Sequence, residues 1–231
     1  MYTLYIANKN YSSWSLRPWV LMRERSIPFD EKIFPFDGSA NGEAFSAFSP
    51  SGKVPCLYDG ANVVWDSLAI TEYLAEREVG VWPKDPSARA WARSACAEMH
   101  SGFLALREQC SMHCGFRIRL NHIAPALQQD MDRINALWCE GLQRFEGPFL
   151  AGPRFTAVDA FFAPVAFRVQ TYSLALSEQA LAYANGLLAL ESMRAWEAAA
   201  LTELWREAAH EQAALKAGVL IADHRRLSET E

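Results

Sequence analysis

Residues 52–70 read GKVPCLYDGANVVWDSLAI, and this stretch decides the fold of the first third of the chain. Two short apolar runs, 54–58 and 62–65, are separated by Asp59-Gly60-Ala61, which is typical of a β-hairpin turn. Asp66-Ser67 then has the residue types that open a helix. The stretch therefore predicts a hairpin that leads directly into a helix.

The residues before this stretch continue the pattern of short strands and helices. In order, they predict a strand at 2–7, a helix at 16–25, a strand at 32–36, a loop at 37–41 and a short helix at 43–48. A strand–helix–strand unit followed by a hairpin and a helix is an α/β layout on one mixed sheet.

The character of the sequence changes after residues 80–87, GVWPKDPS, which are interpreted as a linker because they carry two prolines and a glycine. Beyond them, helical periodicity predicts helices at 88–116, 125–144, 186–199 and 201–217, a capping box at 156–159, TAVD, and a frayed polar end at 223–231. We therefore divide the chain into an α/β domain at 1–80, a linker at 81–87 and an all-helical domain at 88–231.

The composition is that of an ordinary globular protein. Hydrophobic residues make up 51% of the 231 residues, charged residues 21%, and the net charge is −5. No block of like charges suits nucleic acid, no signal peptide is seen, and no apolar run reaches the roughly 18 residues of a membrane span. Five cysteines without an export signal suggest reduced thiols. We expect a cytoplasmic protein with neither a nucleic-acid nor a membrane partner.

One cluster has the residue types of a metal site. Cys110 and Cys114 share a face if the segment is helical, and His113 lies between them. A fourth ligand is not found nearby in the sequence. We expect no metal and no permanently bound cofactor.

Two segments of the α/β domain suit a peptide ligand with free ends. A cis bond before Pro55 would expose the backbone N–H and C=O of Val54 to such a peptide, although a simple turn is the alternative. At the start of a helix, Asp66 and Ser67 could bind an ammonium and a carboxylate, although a plain N-cap is the alternative.

Ser12 and Ser13 follow the first strand, at the end of the sheet where α/β proteins bind ligands. A hydroxyl there could donate to a thiolate and lower the thiol pKa from about 8.5. Lowering it by about two units takes about 2.7 kcal/mol, and one charge-assisted hydrogen bond contributes about 1.5–3 kcal/mol. One hydroxyl near a helix N-terminus could therefore activate a thiol; a solvated helix cap is the alternative.

Taken together, these segments resemble the cytosolic glutathione S-transferase family. Residues 52–55, GKVP, followed by 66–70, DSLAI, are similar to the family's Val-Pro and (Glu/Asp)-Ser-x-Ala-Ile pair. Residues 12–17, SSWSLR, resemble the SSCSxR segment of the zeta class, and the linker and the capping box follow in the family's order. The resemblance implies a bacterial, serine-type member with a thioredoxin-like first domain, an all-α second domain and a homodimeric assembly.

The resemblance also implies roles for residues at the glutathione. Val54, with a cis bond to Pro55, would pair with the cysteinyl backbone. Asp66 and Ser67 would hold the γ-glutamyl end, and Lys53 could neutralise the glycyl carboxylate.

The residue at the thiol stays open between two serines. Alignment on the double serine of the zeta class selects Ser12, which is slightly preferred, whereas counting four residues back from Arg17 selects Ser13. Tyr11 is a rival hydroxyl. Trp14 replaces the zeta-class cysteine, which argues against maleylacetoacetate isomerase activity and against cysteine-based disulfide reduction.

The helical domain is expected to complete a pocket for the electrophile. By position, Tyr11, Trp14, Phe103, Arg107 and Arg117 would line it, and the arginines would suit an apolar acceptor with an acidic group. We predict a detoxifying glutathione S-transferase that joins the thiolate of its cosubstrate glutathione to a small electrophile. The alternatives are a glutathione-dependent isomerase or dehalogenase, or a non-catalytic binding protein of the same fold.

Overall fold

The computed structural model describes residues 1–36 and 42–225. The first part of the chain contains β1 (Tyr2–Ile6), α1 (Ser13–Glu24), β2 (Phe29–Ile33), α2 (Gly42–Ser46), β3 (Cys56–Asp59), β4 (Asn62–Val64) and α3 (Ser67–Ala75). The second part contains α4 (Pro86–Ser101), α5 (Leu104–Gln109), β5 (Phe116–Leu120), α6 (Pro125–Arg144), α7 (Ala157–Tyr172), α8 (Glu178–Leu188), α9 (Glu191–Thr202), α10 (Ala208–Ala217) and β6 (Gly218–Asp223). The loop predicted at 37–41 lies outside the described residues.

The first part forms one mixed sheet in the strand order β2-β1-β3-β4. β1 is parallel to β2, with Ile6 opposite Ile33, and antiparallel to β3, with Leu4 opposite Leu57. Parallel neighbours need a crossover connection, and α1 supplies it. The sheet predicted from the sequence is therefore confirmed.

α7 is the buried centre of the helical part. Every residue of α7 except Gln170 is buried, and the helix packs against α1, α4 and α8. A helix that is apolar all round must be enclosed by other elements. Because α1 belongs to the first part, this packing joins the α/β and helical parts, and the predicted combination of the two is confirmed.

The helical part also contains a two-stranded antiparallel sheet that the sequence analysis did not predict. The helix predicted at 88–116 stops at Ser101, resumes as α5 after Phe103 in the left-handed region (φ 56°), and gives way to β5 at Phe116. β5, FRIRL, alternates apolar and charged residues with the period of a strand. It pairs with β6, about a hundred residues further along the chain, with Leu120 opposite Gly218.

The end of the described chain folds back onto the loop between β1 and α1. The frayed end predicted from Asp223 is wrong for Arg225, whose buried guanidinium donates to Tyr11 Oη (2.6 Å) and to the carbonyl of Glu203 (3.0 Å). The Glu203 carboxylate accepts the backbone N–H groups of Lys9 (2.6 Å) and Asn10 (3.2 Å). The loop that carries the two serines is therefore held by the C-terminal segment.

Candidate active site

The two adjacent serines differ in what their hydroxyls do. Ser12 caps the start of α1 and is buried, and its hydroxyl donates to Ser15 Oγ at 2.8 Å. Ser15 Oγ in turn accepts the N–H of Ala7 at 3.3 Å. Ser13 is partly exposed, and its hydroxyl has no hydrogen-bond partner within residues 1–36 and 42–225. Of the two hydroxyls, that of Ser13 is therefore the one available to a ligand.

The Tyr11 hydroxyl is fully engaged by the C-terminal segment. It donates to Glu211 at 2.8 Å and accepts from Arg225 at 2.6 Å and from the N–H of Glu207 at 3.3 Å. Burial is the main reason that the pKa of Tyr11 is raised. Tyr11 thus presents its ring, rather than its hydroxyl, as a ligand surface.

The proline turn has the conformation that the sequence suggested. The Val54–Pro55 peptide bond is cis. Val54 is half-buried and precedes β3, which begins at Cys56, so its backbone lies at the open start of the strand. This is where the backbone of an extended peptide could pair with Val54, just before the residues of β3 that pair with β1 and β4.

Asp66 and Ser67 sit at the N-terminus of α3. One Asp66 oxygen accepts the N–H of Leu68 at 2.9 Å, and the other lies 3.3 Å from His100 Nε2. Burial is the main cause that lowers the pKa of His100. Ser67 is fully buried, and its Oγ has no hydrogen-bond partner in the described part of the chain. An orphaned buried hydroxyl at a helix N-terminus is suited to a bound carboxylate.

Two adjoining cavities bring the predicted residues together. The larger, about 600 Å³, is lined by Tyr11, Ser12, Ser13, Trp14, Lys53, Val54 and Arg107 among others. The smaller, about 430 Å³, contains Pro55, Asp66 and Ser67. Trp14, Ser51, Lys53 and Val54 line both cavities, which therefore lie side by side and are together called the cleft.

Two predicted pocket residues lie away from this cleft. Phe103 is buried at the break between α4 and α5. Arg117 is in β5 rather than in a helix, so it faces a separate cavity of about 580 Å³, where it lies 3.5 Å from Glu197. The sequence analysis placed Arg117 by its position in the chain alone, and such a placement does not show which way a side chain on a strand points.

Residues distant in sequence complete the larger cavity. Arg168 of α7 and His210 of α10 line it, together with Ser111 and Met112. His210 stacks on Tyr11 with ring centroids 5.3 Å apart. An arginine within the long apolar run of α7 is a sequence signal that could have been noticed for Arg168, whereas the position of His210 depends on how the end of the chain folds back.

The histidine of the cysteine–histidine cluster forms hydrogen bonds within the folded core. The ring nitrogens of His113 are engaged by Asn10 Nδ2 at 3.2 Å and by the N–H of Phe116 at 3.0 Å. Burial lowers the pKa of His113 to about 2. Among the described residues, no three His, Cys, Asp or Glu side chains are grouped to hold a metal ion. No described helix is long and apolar enough to cross a membrane.

The fold is a thioredoxin-like domain joined to a helical part, and residues of both line the larger cavity. Residues 11–77 match the model of the glutathione S-transferase N-terminal domain. The first part of the chain is therefore a domain of the glutathione S-transferase N-terminal type.

Relatives with assigned names share parts of the sequence. The chain is 25% identical to a probable maleylacetoacetate isomerase of Caenorhabditis elegans over 182 residues, which is 75% of this chain and 81% of that protein. It is 36% identical to a dichloromethane dehalogenase of Methylorubrum extorquens over 58 residues, 24% of this chain and 20% of the relative.

Solved structures show the same fold at low identity. A glutathione transferase homologue from Burkholderia with bound glutathione superposes with a TM-score of 0.63 at 21% identity, over 86% of this chain and 97% of the other. A glutathione S-transferase from the Antarctic clam Laternula elliptica gives 0.64 at 23% identity, over 84% and 91% of the two chains.

Proposed function

We propose that the protein transfers the thiolate sulfur of glutathione to a small electrophile, with a serine hydroxyl stabilising the thiolate. The observation that carries this proposal is that the two cavities adjoin and share four lining residues. The smaller cavity holds Asp66 and Ser67, the larger holds Ser13, and the proline turn at Val54 lies between them. An extended tripeptide bound along the two cavities would meet, in this order, residues that bind its amino-acid end, a backbone that pairs with its own, and a hydroxyl near its thiol.

In the proposed complex, the γ-glutamyl ammonium pairs with Asp66, and its carboxylate accepts from the Ser67 hydroxyl. The cysteinyl backbone pairs with Val54, and Lys53 lies near the glycyl carboxylate. The thiol then points toward Ser13. The thiol loses its proton to solvent, and the thiolate electron pair forms a C–S bond with an electrophilic carbon held in the larger cavity. The bond from that carbon to its leaving group breaks, and the leaving group departs with the electron pair. The protein contributes binding, orientation and a hydrogen bond.

The primary test is titration of the protein with glutathione by calorimetry, together with the ultraviolet thiolate band measured against pH. We expect saturable binding and a bound thiol pKa below about 8.5, the value of a free thiol. Absence of glutathione binding would overturn the proposal in favour of a binding protein of the same fold with another ligand.

The names of the two relatives suggest two alternative glutathione-dependent reactions, isomerisation and dehalogenation. Isomerases and some dehalogenases return glutathione unchanged, whereas conjugation consumes it. Measuring glutathione consumption per mole of product therefore separates the reactions. We favour conjugation because Trp14 stands where the zeta-class segment has a cysteine.

The proposal includes a homodimer that acts in the cytoplasm in detoxification. It is supported by the family resemblance and by five free cysteines in the described structure. Light scattering in solution should report the mass of two chains; the mass of one chain would contradict the homodimer.

Replacing Ser67 with alanine is expected to weaken glutathione binding about tenfold, because a hydrogen bond to a charged group contributes about 1.5–3 kcal/mol. The thermal midpoint of the free protein should not fall, since the Ser67 hydroxyl has no partner there. Calorimetry gives the Kd, and Ser94→Ala, on the exposed face of α4, is the matched control. An unchanged Kd would remove Ser67 from the glutathione site.

A further inference from the structure

Three arginines gather at the end of the larger cavity that belongs to the helical part. Arg107 and Arg168 line the cavity. Arg17 lies behind them, with its guanidinium 4.1 Å from the centre of the Trp14 ring. Arg107 packs against the same indole at 4.6 Å. One aromatic ring is thus held between two cations.

Two of the three guanidiniums, those of Arg107 and Arg168, donate hydrogen bonds to uncharged backbone carbonyls. Arg107 donates to the carbonyls of Met99 and His100, and Arg168 donates to the carbonyls of Cys110 (2.8 Å) and Pro164 (3.3 Å). Carbonyl oxygens orient the side chains without neutralising them.

Carboxylates act on the cluster only from beyond ion-pair distance: Asp66 attracts Arg17, and Asp130 attracts Arg107. Within residues 1–36 and 42–225, none of the three arginines forms an ion pair with a carboxylate. Arg17 is buried with its Nε and Nη1 lacking hydrogen-bond partners. Burial, and next the charge of Arg107, lower the pKa of Arg168 to about 10. Buried charges are normally paired, so this cluster needs an anion.

The cluster is separate from the groups that would hold the γ-glutamyl end of glutathione. Asp66 and Ser67 line only the smaller cavity, whereas Arg107 and Arg168 line only the larger one. No Asp or Glu of the described chain lines the larger cavity, although the whole protein carries a net charge of −5. The positive charge is therefore concentrated where the second substrate would lie.

We infer that the second substrate carries an oxyanion, such as a carboxylate, which Arg107 and Arg168 bind while its electrophilic carbon faces the glutathione sulfur. This inference rests on the proposed function, because it concerns the acceptor end of the same cleft. Planar guanidiniums match the geometry of a carboxylate and form strong charge-assisted hydrogen bonds with it.

The test compares two unreactive probes of the same shape, 3-nitrobenzoate and its neutral analogue 3-nitrobenzamide. The protein is first saturated with glutathione, which measures the proposed function separately, and each probe is then titrated by calorimetry. We expect the benzoate to bind at least about tenfold more tightly than the benzamide. Equal affinities, or no measurable binding of the benzoate, would overturn the inference while leaving the glutathione result intact.

Substitutions assign the preference to the cluster. Arg107→Gln should weaken benzoate binding about tenfold and change benzamide binding less than about twofold. Arg168→Lys keeps the charge of a buried residue and should retain part of the preference, and Arg119→Gln, an exposed arginine of β5, is the matched control with the same change of charge. If Arg107→Gln does not fold, the wild-type comparison and Arg168→Lys decide.

A third measurement tests whether the arginines instead bind glutathione. The glutathione Kd of Arg107→Gln should equal that of the wild type. A parallel loss of glutathione affinity would show that the arginines bind a carboxylate of glutathione, and it would overturn the inference.

Discussion

Replacing Ser13 with alanine is expected to raise the pKa of bound glutathione by about 1–2 units, because one charge-assisted hydrogen bond of about 1.5–3 kcal/mol is lost at about 1.36 kcal/mol per unit. Removing the hydrogen bond destabilises the thiolate and leaves the neutral thiol little affected, so the thiol holds its proton to higher pH. At neutral pH we expect kcat/KM to fall about 10–100-fold. The ultraviolet thiolate band, titrated against pH with glutathione saturating, measures the shift directly.

Ser12→Ala is the matched control, since it removes the same group one residue away. The Ser12 hydroxyl is buried and donates to Ser15 Oγ at 2.8 Å. Its loss should therefore lower the free energy of unfolding by about 1 kcal/mol and leave the thiolate band in place. If Ser12→Ala moves the band and Ser13→Ala does not, the assignment of the two serines is reversed.

The choice between these serines shows what the sequence could and could not supply. It located both residues after β1, and it slightly preferred Ser12. The difference between them arises because Ser12 occupies the helix cap and turns inward to Ser15, while Ser13 begins α1 and faces the cavity. Which of two adjacent serines points toward the cavity depends on the local backbone conformation, and a sequence motif does not specify that conformation.

Local patterns predicted the elements that depend on neighbouring residues. The hairpin β3–β4 and helix α3 follow from turn and cap residues within 52–70. The same stretch left a cis bond before Pro55 open beside a simple turn, and the family resemblance implied the cis bond that is found. The pairing of β5 with β6 joins segments about a hundred residues apart, so no local signal fixes it. Arg225 against Tyr11 is a contact of the same long-range kind.

The candidate site divides along the same line. The glutathione half, at Val54, Asp66 and Ser67, consists of short motifs and could be proposed from them. The acceptor half combines Arg107 with Arg168 and His210 from α7 and α10, and Arg117 lies elsewhere because its segment is a strand. Because these side chains come from helices far apart in the sequence, their proximity, and so their combined positive charge, could not be predicted without the packed structure.

The second large effect is expected at Asp159, near the start of α7. This fully buried carboxylate accepts four hydrogen bonds: from the N–H of Leu150 (2.9 Å), the N–H of Thr156 (2.9 Å), the Thr156 hydroxyl (3.3 Å) and the Tyr183 hydroxyl (2.9 Å). Burial raises the pKa of Asp159 to about 6, and these hydrogen bonds act in the opposite direction. The carboxylate is therefore ionised at neutral pH and ties the N-terminus of α7 to the loop at Leu150 and to α8.

Asp159→Ala is expected to lower the free energy of unfolding by about 3–5 kcal/mol, because each buried donor left without a partner costs about 1–3 kcal/mol and the protein relaxes around part of the gap. Denaturant unfolding followed by far-ultraviolet circular dichroism gives this value from the midpoint and slope. Tyr183→Phe removes one of the four donors and should cost only about 1–2 kcal/mol. A loss below about 1 kcal/mol for Asp159→Ala would mean that water replaces the carboxylate at this helix start, and that α7 does not depend on the capping box for its position.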